Sequence, residues 1–170
     1  MAAADLHVTT VIALADTSPL HYLVLLGAID HLPRLFDVLI VPPAVVRELR
    51  HPRAPAAVGH WAAHPPTWLQ VPPAPRHTPL PPRLGPGERE VLALRPQYPE
   101  AVLLLDDRHA VRAATQRDWA VLGTLGLLRA LAAAPAVRLD LPDALTRLRA
   151  TNFRVTDAQV TAVLRAATND

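Results

Sequence analysis

The 170-residue sequence contains no cysteine and no lysine. The first absence excludes disulfides, thiolate metal ligands and sulfur nucleophiles, and it suits a reducing cytoplasm. The second excludes P-loop lysines, Schiff-base amines and Ser-Lys dyads, because all 17 of the Lys and Arg residues are Arg. Aromatic residues make up only 4% of the chain, so Leu, Val and Ala have to build the core. Long uninterrupted apolar runs are also missing: Arg129 breaks the longest, residues 121–137, which argues against a membrane span. Asp5 interrupts the N-terminus and no basic start leads into an apolar stretch, which argues against a signal peptide. The formal charge of +2 does not by itself advertise a polyanion partner, although the planar guanidinium fork matches phosphate well.

What is present points to a globular protein. Hydrophobic residues reach 51% against 19% charged, and the length suits one domain with a sizeable core. The expected arrangement is a single domain over 1–170, with a core at 11–137 and a C-terminal helical extension at 140–168. Short apolar runs at 11–15, 38–41, 101–105 and 120–122 predict buried strands, and 68–71 predicts an edge strand. Helical patterns lie between them, at 20–26, 44–49, 56–63, 85–95, 108–117 and 125–134. A Leu141, Leu145, Leu148 stripe and a last helix over 157–167 follow. Fifteen of the 19 prolines fall within 42–99, so regular structure is most interrupted there, and residues 72–82 predict a stiff extended connector. Strands alternating with helices imply an α/β fold, a parallel sheet covered on both sides.

Two of the predicted strands end in carboxylates, Asp16 and the Asp106-Asp107 pair. Open α/β sheets bind ligands outside the carboxyl ends of their strands. Glu48 lies one helix beyond the second strand, and Glu88 lies in the first turn of another helix. Each also has an ordinary role open to it. Asp16, Asp106 or Asp107 can cap the helix that follows, Glu48 can pair with Arg47 or Arg50, and Glu88 can complement its own helix dipole. Together they suggest a cluster, and clustered carboxylates repel one another unless a cation sits among them. Oxygen-only ligands favour Mg²⁺ or Mn²⁺ over zinc. Arg47, Arg50, His51 and Arg53 flank Glu48, while Arg108 and Arg112 follow the late Asp pair, positions suited to phosphate contacts or to ordinary surface. His60 and His64 stand four apart but lack a third ligand at a recognisable spacing.

Ala15-Asp16-Thr17-Ser18-Pro19-Leu20, Val41-Pro42-Pro43-Ala44-Val45-Val46-Arg47-Glu48-Leu49, Leu84-Gly85-Pro86-Gly87-Glu88 and Leu104-Leu105-Asp106-Asp107-Arg108 resemble the successive motifs of PIN domains. The resemblance is to the prokaryotic branch of unassigned role near the VapC-type toxins, and Gly123-Thr124-Leu125-Gly126 and Asn152-Phe153-Arg154-Val155-Thr156 extend it. It implies a three-layer α/β/α sandwich and an Mg²⁺- or Mn²⁺-dependent endoribonuclease of a toxin-antitoxin pair. A small antitoxin-like partner and a homodimer are implied with it. Asp16 and Asp106 would be metal ligands, Glu48 and Glu88 would complete the acidic cluster, and Asp107 is a further candidate ligand. Leu105 stands where many members carry Ser or Thr, which leaves open whether Asp106 or Asp107 faces the metal. A silent PIN-like module that binds RNA or protein is the alternative. Other nucleotide-binding classes fit less well: Gly85-Pro86-Gly87 begins a GxGxxG that fails at Glu90. A receiver domain needs a late Lys, and a haloacid-dehalogenase phosphatase needs Asp where Ser18 stands.

Overall fold

The structure, a computed structural model, describes residues 10–76 and 79–168. Asp5, on which the expectation about a signal peptide rests, lies outside them, as do His77 and Thr78 of the Pro-rich connector. Five strands form one sheet: β1 (Ile12–Ala15), β2 (Val38–Ile40), β3 (Leu69–Gln70), β4 (Val102–Leu104) and β5 (Val121–Leu122). Their order is β3-β2-β1-β4-β5 and every pairing is parallel. Ala13, Leu14 and Ala15 are fully buried at the centre, which is what an apolar strand without alternation requires. β3 has only two residues because Pro65-Pro66 and Pro72-Pro73 bracket it, and proline cannot donate to a ladder.

The helices flank this sheet in an α/β/α sandwich. They are α1 (Thr17–Leu25), α2 (Pro43–Leu49), α3 (Ala56–Ala63), α4 (Pro86–Leu94), α5 (Arg108–Thr115), α6 (Thr124–Ala133), α7 (Leu141–Arg149) and α8 (Asp157–Ala167). Pro43 and Pro86 open α2 and α4, at a position where a missing N–H costs nothing. A 3₁₀ helix at Ile29–Arg34 accommodates Pro33. α7 and α8 pack on each other and on α6, and each begins with a side-chain cap, Asp140 and Thr156 respectively. Leu141, Leu145 and Leu148 are buried, so that stripe is core. Among the described residues no helix is long and apolar enough to cross a membrane.

The topology positions the site. From β1 the chain moves outward through β2 and β3, then crosses back to place β4 on the other side of β1. Successive connections therefore leave β1 and β4 in opposite directions and open a crevice at their carboxyl ends.

Candidate functional site

Ala15 pairs with Leu104 across β1 and β4, and the next N–H, that of Asp16, donates to the Leu104 carbonyl at 3.0 Å. Asp16 and Asp106 thus leave neighbouring strands at the same rim. Ser18, two residues after Asp16, reaches the second of them, its hydroxyl donating to Asp106 Oδ2 at 2.9 Å. The start of α6 supplies two more donors to Asp106: the Thr124 N–H reaches Oδ1 at 2.7 Å and the Thr124 hydroxyl reaches Oδ2 at 2.6 Å. Asp107 has different partners. Its Oδ1 accepts the His109 and Ala110 N–H groups at 2.8 and 3.0 Å, making it the N-cap of α5. Of the adjacent pair, Asp106 meets Ser18 at the junction of β1 and β4, and Asp107 holds its own helix.

Glu48 reaches the rim from the last turn of α2. It accepts the Thr17 hydroxyl and, at 3.0 Å, the Gly87 N–H. The local pairing open to it is absent, because Arg47 instead faces Glu90 at 3.6 Å. Gly87 explains how two carboxylates come so near. A Cβ there would fall 2.6 Å from Asp16 Oδ1 and 3.1 Å from Glu48 Oε2, so both side chains close over a residue that has none. Glu88, next in the chain, caps its own helix through the Gly85 N–H and also lines the cleft.

The cleft encloses about 960 Å³, and its lining includes Asp16, Glu88, Asp106, Asp107 and Arg108. Arg50 lines a separate, smaller pocket with Trp61 and Val71, and Arg47 is the partner of Glu90. His60 and His64 stack at 4.5 Å, with His64 Nδ1 against the His60 carbonyl at 3.0 Å.

Electrostatics single out Asp16. It is 4% exposed, and burial pushes its carboxyl up to about 7; the Thr17 N–H opposes this, while Glu88, Glu48 and Asp106 add to it. The Glu88 carboxyl is raised by burial too, opposed by the Gly85 N–H and assisted by Asp107 and Glu48. A cation would relieve this repulsion, and an all-oxygen donor set over a glycine cradle suits a hard divalent ion. Among the described residues no three acidic or imidazole groups are gathered tightly enough to grip an ion unaided. Mg²⁺ does not demand that, since it commonly takes one or two carboxylates with water and substrate phosphate completing its shell.

Thr17, Ser18, Gly87 and Thr124 are the site residues whose roles residue-by-residue reasoning misses. A faint signal exists for three of them: two hydroxyls directly after a strand-end Asp, and Gly-Thr where β5 meets α6. A family model described as PIN domain matches residues 12–169. No curated protein matches the sequence.

Proposed function

Because the chain belongs to the PIN domain family, whose fold is of the nuclease type, we propose that it is a divalent-metal-dependent endoribonuclease. The observation that supports this best is the convergence of Asp16, Glu48 and Asp106 at one rim, with Asp16 held in a protonation balance that a cation would tip. Asp16 and Asp106 would hold Mg²⁺ or Mn²⁺. When bound, such an ion supplies Lewis acidity at a phosphate and lowers the pKa of a nearby water.

This chain's own residues supply the rest. Glu88, with its raised carboxyl and its place in the cleft, is suited to take the proton of the attacking water. In the step proposed, the water oxygen bonds to phosphorus, the bridging P–O bond breaks, and the departing oxygen takes a proton from solvent water. Glu48 braces the first turn of α4 through the Gly87 N–H, and Ser18 and Thr124 fix the direction of Asp106. Arg108, at the start of α5 and in the cleft, is placed to meet an RNA phosphate. Asp107, Arg47 and Arg50 would contribute at the edges, Asp107 to the ion and the arginines to the RNA backbone.

The toxin role, an antitoxin-like partner and a homodimer rest on the family resemblance. Light scattering tests the last, and a short reading frame beside the coding sequence bears on the first two. The decisive experiment is cleavage of a mixed RNA pool with Mn²⁺ by wild type, Asp16→Asn and Asp106→Asn. We expect both variants to fold and to lose about a hundred- to a thousandfold in rate, the scale of a removed charge-stabilising group. Equal cleavage by all three would leave a silent RNA- or protein-binding module as the better account.

A further inference from the structure

The cleft that holds the acidic residues is also lined by Asn152, Phe153 and Arg154, which connect α7 to α8. Tyr22, from α1, lines the same cleft and feels the charge of Asp106. Its hydroxyl donates to Asn152 Oδ1 at 2.9 Å, and its ring meets Phe153 edge-to-face at 4.8 Å and 79°.

The connector is held at both ends. Thr151 donates to the Leu148 carbonyl at 2.6 Å and accepts the Phe153 N–H at 3.1 Å, while Thr156 and Gln159 exchange capping bonds at the start of α8. Asn152 is exposed, yet its carbonyl oxygen is already engaged. A side-chain amide so engaged offers its two N–H donors to whatever enters. Half-buried Phe153 offers an aromatic surface beside it, and exposed Arg154 a cation. An oriented donor, a ring and a cation in one groove are what an unpaired nucleotide needs: an edge contact, a stack and a phosphate contact.

We propose that residues 152–154 form the subsite for the nucleotide flanking the scissile phosphate, with Asn152 reading its base and Tyr22 acting as the positioning residue for Asn152. The amide can donate to a base carbonyl oxygen such as uracil's, whereas the paired donor and acceptor that adenine takes at N7 and N6 would make that base compete with Tyr22 for Oδ1. This assignment rests on the ribonuclease reading for its substrate class, but RNA binding is measurable without cleavage.

The test is fluorescence anisotropy of the full chain with single-stranded oligo(U) and oligo(A), Ca²⁺ replacing Mn²⁺, alongside cleavage in Mn²⁺. Wild type should bind oligo(U) more tightly. Tyr22→Phe and Asn152→Ala should keep the melting temperature within a few degrees and weaken oligo(U) by about 3- to 10-fold, erasing the preference while leaving oligo(A) unchanged. Phe153→Leu should weaken both oligonucleotides by about 5- to 100-fold. Arg154→Ala should weaken both alike and reduce the salt slope of binding by about one. If wild type cleaves RNA while all four variants bind and discriminate as it does, the subsite is overturned and the nuclease reading stands. If the variants shift binding as stated but no protein cleaves, the subsite stands and the nuclease reading falls. A wild type that binds neither oligonucleotide overturns both.

Discussion

Asp16 and Asp106 end neighbouring parallel strands, yet their surroundings are opposite. Three donors converge on Asp106, two from Thr124 and one from Ser18. Asp16 is buried, which pushes its carboxyl up to about 7 against the single opposing N–H of Thr17, and the carboxylates of Glu88, Glu48 and Asp106 add to the rise. The same residue type at the same topological position thus does two jobs. One carboxylate is fixed in direction before any ligand arrives, and the other stores an unfavourable charge that a cation would discharge. Such strain is typical of a site kept for function at a cost in stability.

The harshest way to break this contrast is Gly87→Ala. The new Cβ would press on Asp16 Oδ1 and drive it from Glu48, so we expect cleavage to fall by at least about a hundredfold and stability by about 1–3 kcal/mol. Mn²⁺ titration and thermal melting would read the two effects.

A pH series sharpens the contrast next. With its carboxyl raised in the fold, Asp16 binds a proton more tightly in the native chain than in the unfolded one. Its stabilising contribution is therefore complete below about pH 3.8 and is lost as pH rises through about 7, with a ceiling of about 4 kcal/mol. The metal-free protein should accordingly melt lower at pH 8 than at pH 6, and Asp16→Asn should flatten that difference. Metal affinity runs the other way: a cation displaces the proton, so Mn²⁺ binding by calorimetry should weaken by about tenfold per pH unit below 7. Equal affinity at pH 6 and pH 8 would show that Asp16 carries no proton for the ion to displace.

Smaller effects belong to the Asp106 side. Thr124 is fully buried, so Thr124→Val should cost about 1–3 kcal/mol and loosen Asp106. Ser18→Ala removes one donor of three and should cost about 1 kcal/mol. If both variants left cleavage untouched, pre-orientation of Asp106 would play no part in the chemistry.

Much of this architecture is visible in the residues taken one at a time. The apolar runs mark each strand to within a residue or two, since a strand buried on both faces needs no polar alternation. The Asp residues after β1 and β4 are equally legible, because a carboxylate closing a buried strand has few purposes. The difference in surroundings between Asp106 and Asp107 is not. It depends on α6 bringing Thr124 to one of them while the other bonds the first turn of α5, and no local pattern carries that. Glu48 looks paired with a neighbouring arginine, but Glu90, from a different helix, takes Arg47 away.

Composition and pattern by themselves decided that this chain folds as a parallel α/β domain, that no thiolate can hold a metal, and that the strand-end carboxylate oxygens are the candidates to do so. Burial, partner and spacing of those oxygens were decided only by the tertiary structure. A side chain's charge balance depends on what surrounds it in space, and here the neighbours of Asp16 come from residues 48, 88 and 106 of the chain.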